Sequence, residues 1–139
     1  MVTLFNAPLE DGQLDYSTMR FKWSLQALAA PAEVQLQLFP DYSWKVDELA
    51  IEFDQWYQVM KRRQSYFSTK QRRLLEDLNR KLDDISGPEN LRYWLEDALR
   101  TDAVWETIRK VARKVLEALG WPVIEPIGNQ GTVAVNINY

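Results

Sequence analysis

Two clusters of charged side chains carry most of the chemical potential of this chain. The first is acidic: Asp47, Glu48, Glu52 and Asp54, set around Trp44 and Ile51. Glu48 and Glu52 are four residues apart, which on a helix brings two carboxylates close enough to share a proton or a hard cation. A carboxylate-only cation site needs about six converging oxygens, and the EF-hand spacing does not occur. The Glu-x-x-His pair of di-iron bundles is impossible in a chain without histidine. No metal and no cofactor is therefore expected. The acidic ring instead points to recognition. Trp44 and Ile51 fall opposite the main apolar stripe of their segment, and Tyr93 is off-stripe further along. Such residues either pack beneath the chain ends or form a hot spot for a basic protein partner.

The second cluster is basic. In the stretch 61–73, Lys61, Arg62, Arg63, Lys70, Arg72 and Arg73 interleave with Tyr66 and Phe67. Cations alternating with aromatic rings suit a phosphate backbone or a single strand, with Lys61, Arg62, Arg63, Tyr66 and Arg72 as the contact residues. Against nucleic acid stands a whole-chain pI of about 5.0, which repels polyanions outside the patch. The two aromatics also suit a plug for the end of a helical bundle.

Composition removes most other chemistry. The 139 residues contain no histidine and no cysteine. Disulfides, thiol nucleophiles, Cys-built zinc sites and Ser-His-Asp triads are all excluded. No Walker loop, dinucleotide fingerprint, G-x-S-x-G or S-x-x-K motif is present, and Gly128-Asn129-Gln130-Gly131 reads as a hairpin turn. No basic leader precedes an apolar run at the N-terminus and no long apolar stretch occurs, so a cytoplasmic, non-membrane protein is expected.

The elements that must position these residues follow from periodicity. From Trp44 to about Arg62, Val46, Leu49, Ala50, Phe53, Trp56, Tyr57 and Met60 recur at helical spacing, with Ser43 as the expected N-cap. Ser68-Thr69-Lys70-Gln71 fits a capping box opening a second helix through Leu74, Leu75, Leu78, Leu82 and Ile85. Its other face carries Arg72/Glu76, Arg73/Asp77 and Arg80/Asp84 as i,i+4 pairs. Ser86-Gly87-Pro88 ends it and starts a third helix to about Arg100, with Leu91, Leu95, Ala98 and Leu99 inward. Thr101 or Asp102 caps a fourth to Leu119, closed by Gly120-Trp121-Pro122 in a Schellman-type stop. Pro31 opens a short helix to about Phe39.

The ends show period-2 alternation. Met19, Phe21, Trp23, Leu25 and Ala27 alternate with polar residues, as do Val133, Val135, Ile137 and Tyr139, the pattern of half-buried strands. A helix running to Ala30 is the alternative for the first of these segments. Residues 123–127 and 2–5 are further strand candidates. The expected fold is α+β: a single domain over 1–139, four to five helices, and a small antiparallel sheet formed by the two terminal segments. An unpaired edge at 132–139 could recruit a second copy of the chain.

Charge is segregated. Residues 1–60 hold three basic and nine acidic groups, net −6; residues 61–81 hold eight and two, net +6; residues 82–139 hold six and nine, net −3. With no convergent catalytic constellation, the expected function is a non-enzymatic protein-binding module, in its sharpest form a small inhibitor or immunity-type protein. Phosphate or nucleic-acid binding at 61–73 is the alternative.

Overall fold

The computed structural model describes residues 14–128. Six α-helices follow one another: α1 (Tyr16–Ala29), α2 (Ala32–Gln37), α3 (Lys45–Lys61), α4 (Thr69–Asp84), α5 (Glu96–Thr101) and α6 (Ala103–Leu119). Two 3₁₀ turns, Gln64–Tyr66 and Pro88–Trp94, join α3 to α4 and α4 to α5. Helix α1 packs against both α3 and α6, and α4 packs against α6.

The expected α+β class is corrected: the described residues form no strand. The alternating segment 19–27 lies inside α1. Its period was misleading because α1 is the central helix, buried on more than one face. Phe21 has the rings of Phe53, Tyr57, Phe67 and Trp121 at 6.0–6.5 Å. Ser24 and Gln26 are buried too, because each finds a carbonyl: Ser24 Oγ donates to Phe21 O at 2.7 Å and Gln26 Nε2 to Pro122 O at 3.2 Å. A helix wrapped by neighbours shows no polar face, so its 3.6-residue period disappears from the sequence. Residues 123–127 form neither helix nor strand. They lie along α1, where Trp23 Nε1 donates to Ile127 O at 2.6 Å. The strand candidates 2–5 and 132–139, and with the latter the dimerisation edge, fall outside the described residues.

Local signals decided the other helices. Ser68 Oγ accepts from Gln71 N at 3.1 Å while Gln71 Oε1 accepts from Ser68 N at 2.8 Å, a complete capping box. Asp102 caps α6. Gly120, at φ +75°, closes it in the left-handed region, with Trp121 N donating to Leu116 O and Gly120 N to Glu117 O. That pair of bonds is the Schellman pattern, and it turns Trp121 back into the core. Two boundaries move. Trp44, not Ser43, occupies the N-cap of α3, and Ser43 Oγ instead bonds Pro40 O. The expected third helix is split into the 3₁₀ turn and α5, with Asn90 outside helical φ/ψ, so Leu91 and Leu95 are exposed while Leu99 is buried.

A polar hub holds the α1/α2/α5/α6 side together. The Gln35 amide, fully buried, donates to Ala27 O and Leu28 O, both at 3.0 Å. The Arg109 guanidinium, also buried, donates to Gln35 Oε1 at 3.1 Å and to Leu99 O at 2.8 Å. Arg113 Nη1 donates to Ala29 O at 3.1 Å. The last carbonyls of α1, which carry the negative end of its dipole, thus meet side chains from α2 and α6. Burial lowers the pKa of Arg109.

Candidate partner-binding groove

Helix α3, the C-terminal half of α4 and the 3₁₀ turn Pro88–Trp94 supply the sides of one surface depression. Between them lies a groove of about 600 Å³. Its apolar lining includes Ala50, Phe53, Leu82 and Trp94; Ile51 and Leu91 stand on its lips, 53% and 67% exposed. Three carboxylates line it as well, Asp47 and Asp54 from α3 and Asp83 from the last turn of α4. Among the described residues none of the three has a cationic partner within 4.0 Å; Asp54 accepts only from the Gln58 amide at 3.2 Å. Burial holds the Asp47 carboxyl above its usual value. Carboxylates beside exposed apolar side chains favour an occupant that brings both cations and apolar surface.

The far wall is built rigidly. Trp94 Nε1 donates to Ile85 O at 2.7 Å, and Trp105 Nε1 to Tyr93 O at 2.7 Å, with the two indoles edge to face at 5.4 Å. Gly87 makes the turn from α4 into this wall at φ +105°, a conformation open to glycine and strained for other residues.

Of the acidic candidate set, the structure brings Asp47 and Ile51 into the groove and leaves Trp44, Glu48 and Glu52 outside its lining. Glu52 faces α1, where Arg20 Nη2 meets Oε1 at 2.7 Å, so it joins two helices. Trp44 is 81% exposed at the start of α3, beside an exposed Tyr42. Glu48 is half-buried in the first turn of α3. Sequence reasoning missed Asp83 and Trp94 as groove residues and expected Leu91 inward.

The basic candidates are dispersed. Arg63 Nη1 binds Asp15 Oδ2 at 2.8 Å and Thr18 Oγ1 at 3.2 Å, tying the α3–α4 connection to the start of α1. The Asp15 pKa is lowered, chiefly by the Thr18 N–H bond of its N-cap and further by Arg63. Tyr66 packs edge-on against Phe67 at 4.9 Å. Arg62 is the exposed C-cap of α3. Lys61 and Arg72 alone line a smaller cavity of about 410 Å³, and Glu76 lines it too. Lys61 stands over the Tyr57 ring at 5.5 Å, and Arg72 Nη1 donates to Phe67 O at 2.9 Å. Burial, with the Glu76 charge, raises the Tyr57 pKa. An anion entering this cavity would meet a carboxylate.

Among the described residues no group of three or more acidic side chains is arranged to hold a metal, and no helix is long and apolar enough to cross a membrane. Comparison with known proteins found no matching family model, no matching curated protein and no matching solved structure.

Proposed function

We propose that this protein is a non-enzymatic protein-binding module whose α3/α4 groove receives a basic, apolar-anchored segment of another protein. One observation carries the reading: Asp47, Asp54 and Asp83, without cationic partners among the described residues, share a groove with exposed Ile51 and Leu91. Among the described residues Asp15, Glu33, Glu52 and Asp77 are each held by an arginine or lysine, while others such as Glu89 and Glu117 have no cation within 4.0 Å, so what sets the groove acids apart is the exposed apolar surface beside them. Asp47 lies in the first turn of α3, where a negative charge suits the helix dipole, but Asp83 lies in the last turn of α4, where it does not. A partner bringing positive charge and apolar surface would use both features of the groove. In its narrower form the module is an inhibitor of immunity type, which occludes a basic site on its partner; the −6 charge of the first sixty residues supports that form.

Capture from host extract, compared between the wild type and an Ile51→Lys/Leu91→Lys variant, tests the reading. The expected result is a partner with a lysine- or arginine-rich segment, released by salt and lost from the variant. Equal retention by both proteins would place binding elsewhere. The stretch 61–73 offers a phosphate less, because Arg63 and Tyr66 are engaged with Asp15 and Phe67 and Glu76 shares the remaining cavity.

A further inference from the structure

The groove also constrains the shape of what enters it. Its α3 wall runs from Asp47 to Gln55, roughly 12 Å at 1.5 Å per residue, or a little over two helical turns. Its walls are helices and a 3₁₀ turn, and the described residues offer no strand edge. An extended occupant would bring bare N–H and C=O groups against Phe53, Leu82 and Trp94 with no backbone to pair with, at about 1–3 kcal/mol for each group left unsatisfied. A helix satisfies its own backbone and offers only side chains.

The carboxylates add a register. Asp47 and Asp54 are seven residues apart on one helix, two turns, and so lie along the same wall. Asp83 stands on the opposite wall, in the last turn of α4, where the partial negative charge of the helix end adds to its own.

We propose that the occupant is an amphipathic helix of a partner protein. Its apolar anchors at i, i+4 and i+7 meet Ile51, Leu91 and the floor, two basic residues seven positions apart face Asp47 and Asp54, and a third on its other flank faces Asp83. This proposal rests on the groove reading above and adds the conformation and charge spacing of the ligand.

The test uses the full chain and three labelled peptides of about 16 residues, long enough to hold helix when bound. The first carries leucine anchors and arginines at the stated spacing. The second has a central proline, and the third keeps its composition with the arginines moved to the solvent face. Fluorescence anisotropy reads affinity and far-UV circular dichroism reads helix gained on binding. The expected result is binding of the first with a gain of helicity, about tenfold weakening of each other peptide, and loss of binding to Ile51→Lys/Leu91→Lys. Equal or tighter binding of the proline peptide, lost from that variant, would overturn the helical mode while leaving the groove reading intact. Equal binding of the relocated-arginine peptide would overturn the charge register. No binding of any peptide, or binding indifferent to the variant, would overturn the groove reading and the helix with it.

Discussion

The hub around Arg109 and the groove beside Asp47 both set polar or charged groups among apolar side chains, and treat them in opposite ways. At the hub a guanidinium and an amide are buried, and their donors reach the carbonyls of Ala27, Leu28 and Leu99 or each other. In the groove three carboxylates and two apolar side chains face solvent, with no cation among the described residues to meet the acids. Charge at the hub is spent closing helix ends. Charge in the groove remains available. The difference separates what maintains the fold from what the fold presents.

Breaking the hub should have the largest effect. Arg109→Ala leaves Gln35 Oε1 and Leu99 O without their buried donor, so unfolding free energy should fall by about 3 kcal/mol, read as a lower urea midpoint at unchanged m. A cycle with Gln35→Ala should show coupling of about 1 kcal/mol or more. A loss below 1 kcal/mol would mean that the hub is ornamental.

Gly87 lies between the two regimes, since it shapes the groove wall but is fixed by backbone geometry. Gly87→Ala forces a side chain into φ +105° and brings its Cβ to 2.9 Å from Glu89 Oε1. The flexible Glu89 can swing away, so the backbone dominates and the cost should be about 1–2 kcal/mol by thermal denaturation. Peptide affinity should fall with it, because the turn places Leu91 and Trp94. A variant as stable as wild type would show that the turn tolerates another conformation.

The smallest expected effect lies in the groove itself and depends on pH. Burial raises the Asp47 pKa, so the folded state holds that proton more tightly than the unfolded state. Its contribution to stability is therefore greatest when protonated, and declines as pH rises from the ordinary 3.8 through the raised folded value. Binding of a basic segment runs the other way, strengthening across the same window as the carboxylate ionises. Asp47→Asn should flatten both slopes; a binding profile unchanged by that substitution would remove Asp47 from the interface.

What could be read from the sequence was local. The capping box at Ser68–Gln71, the stripe of α6 and the Gly120-Trp121 stop each depend on residues a few positions apart, and each appears in the structure. Helix α1 was legible only as the alternative to a strand, because burial of Ser24 and Gln26 obscured its polar face. On α3 the sequence singled out Asp47, Ile51 and Asp54, but together with Trp44, Glu48 and Glu52, which lie outside the groove lining. Asp83, Leu91 and Trp94 come from other elements. Leu91 was misdirected by an α-helical period imposed on a 3₁₀ turn kinked at Asn90. Glu52 looked free until α1 supplied Arg20 from 32 positions away in the chain.

The central claim is that the three groove carboxylates serve recognition and not the fold. It is tested most directly by neutralising them together, as Asp47→Asn/Asp54→Asn/Asp83→Asn, and measuring affinity for the arginine-bearing helical peptide alongside the unfolding midpoint. The account predicts at least about tenfold weaker binding, with stability unchanged or slightly raised, by no more than about 0.5 kcal/mol per site. Unaltered affinity, or a protein destabilised by several kcal/mol, would contradict it.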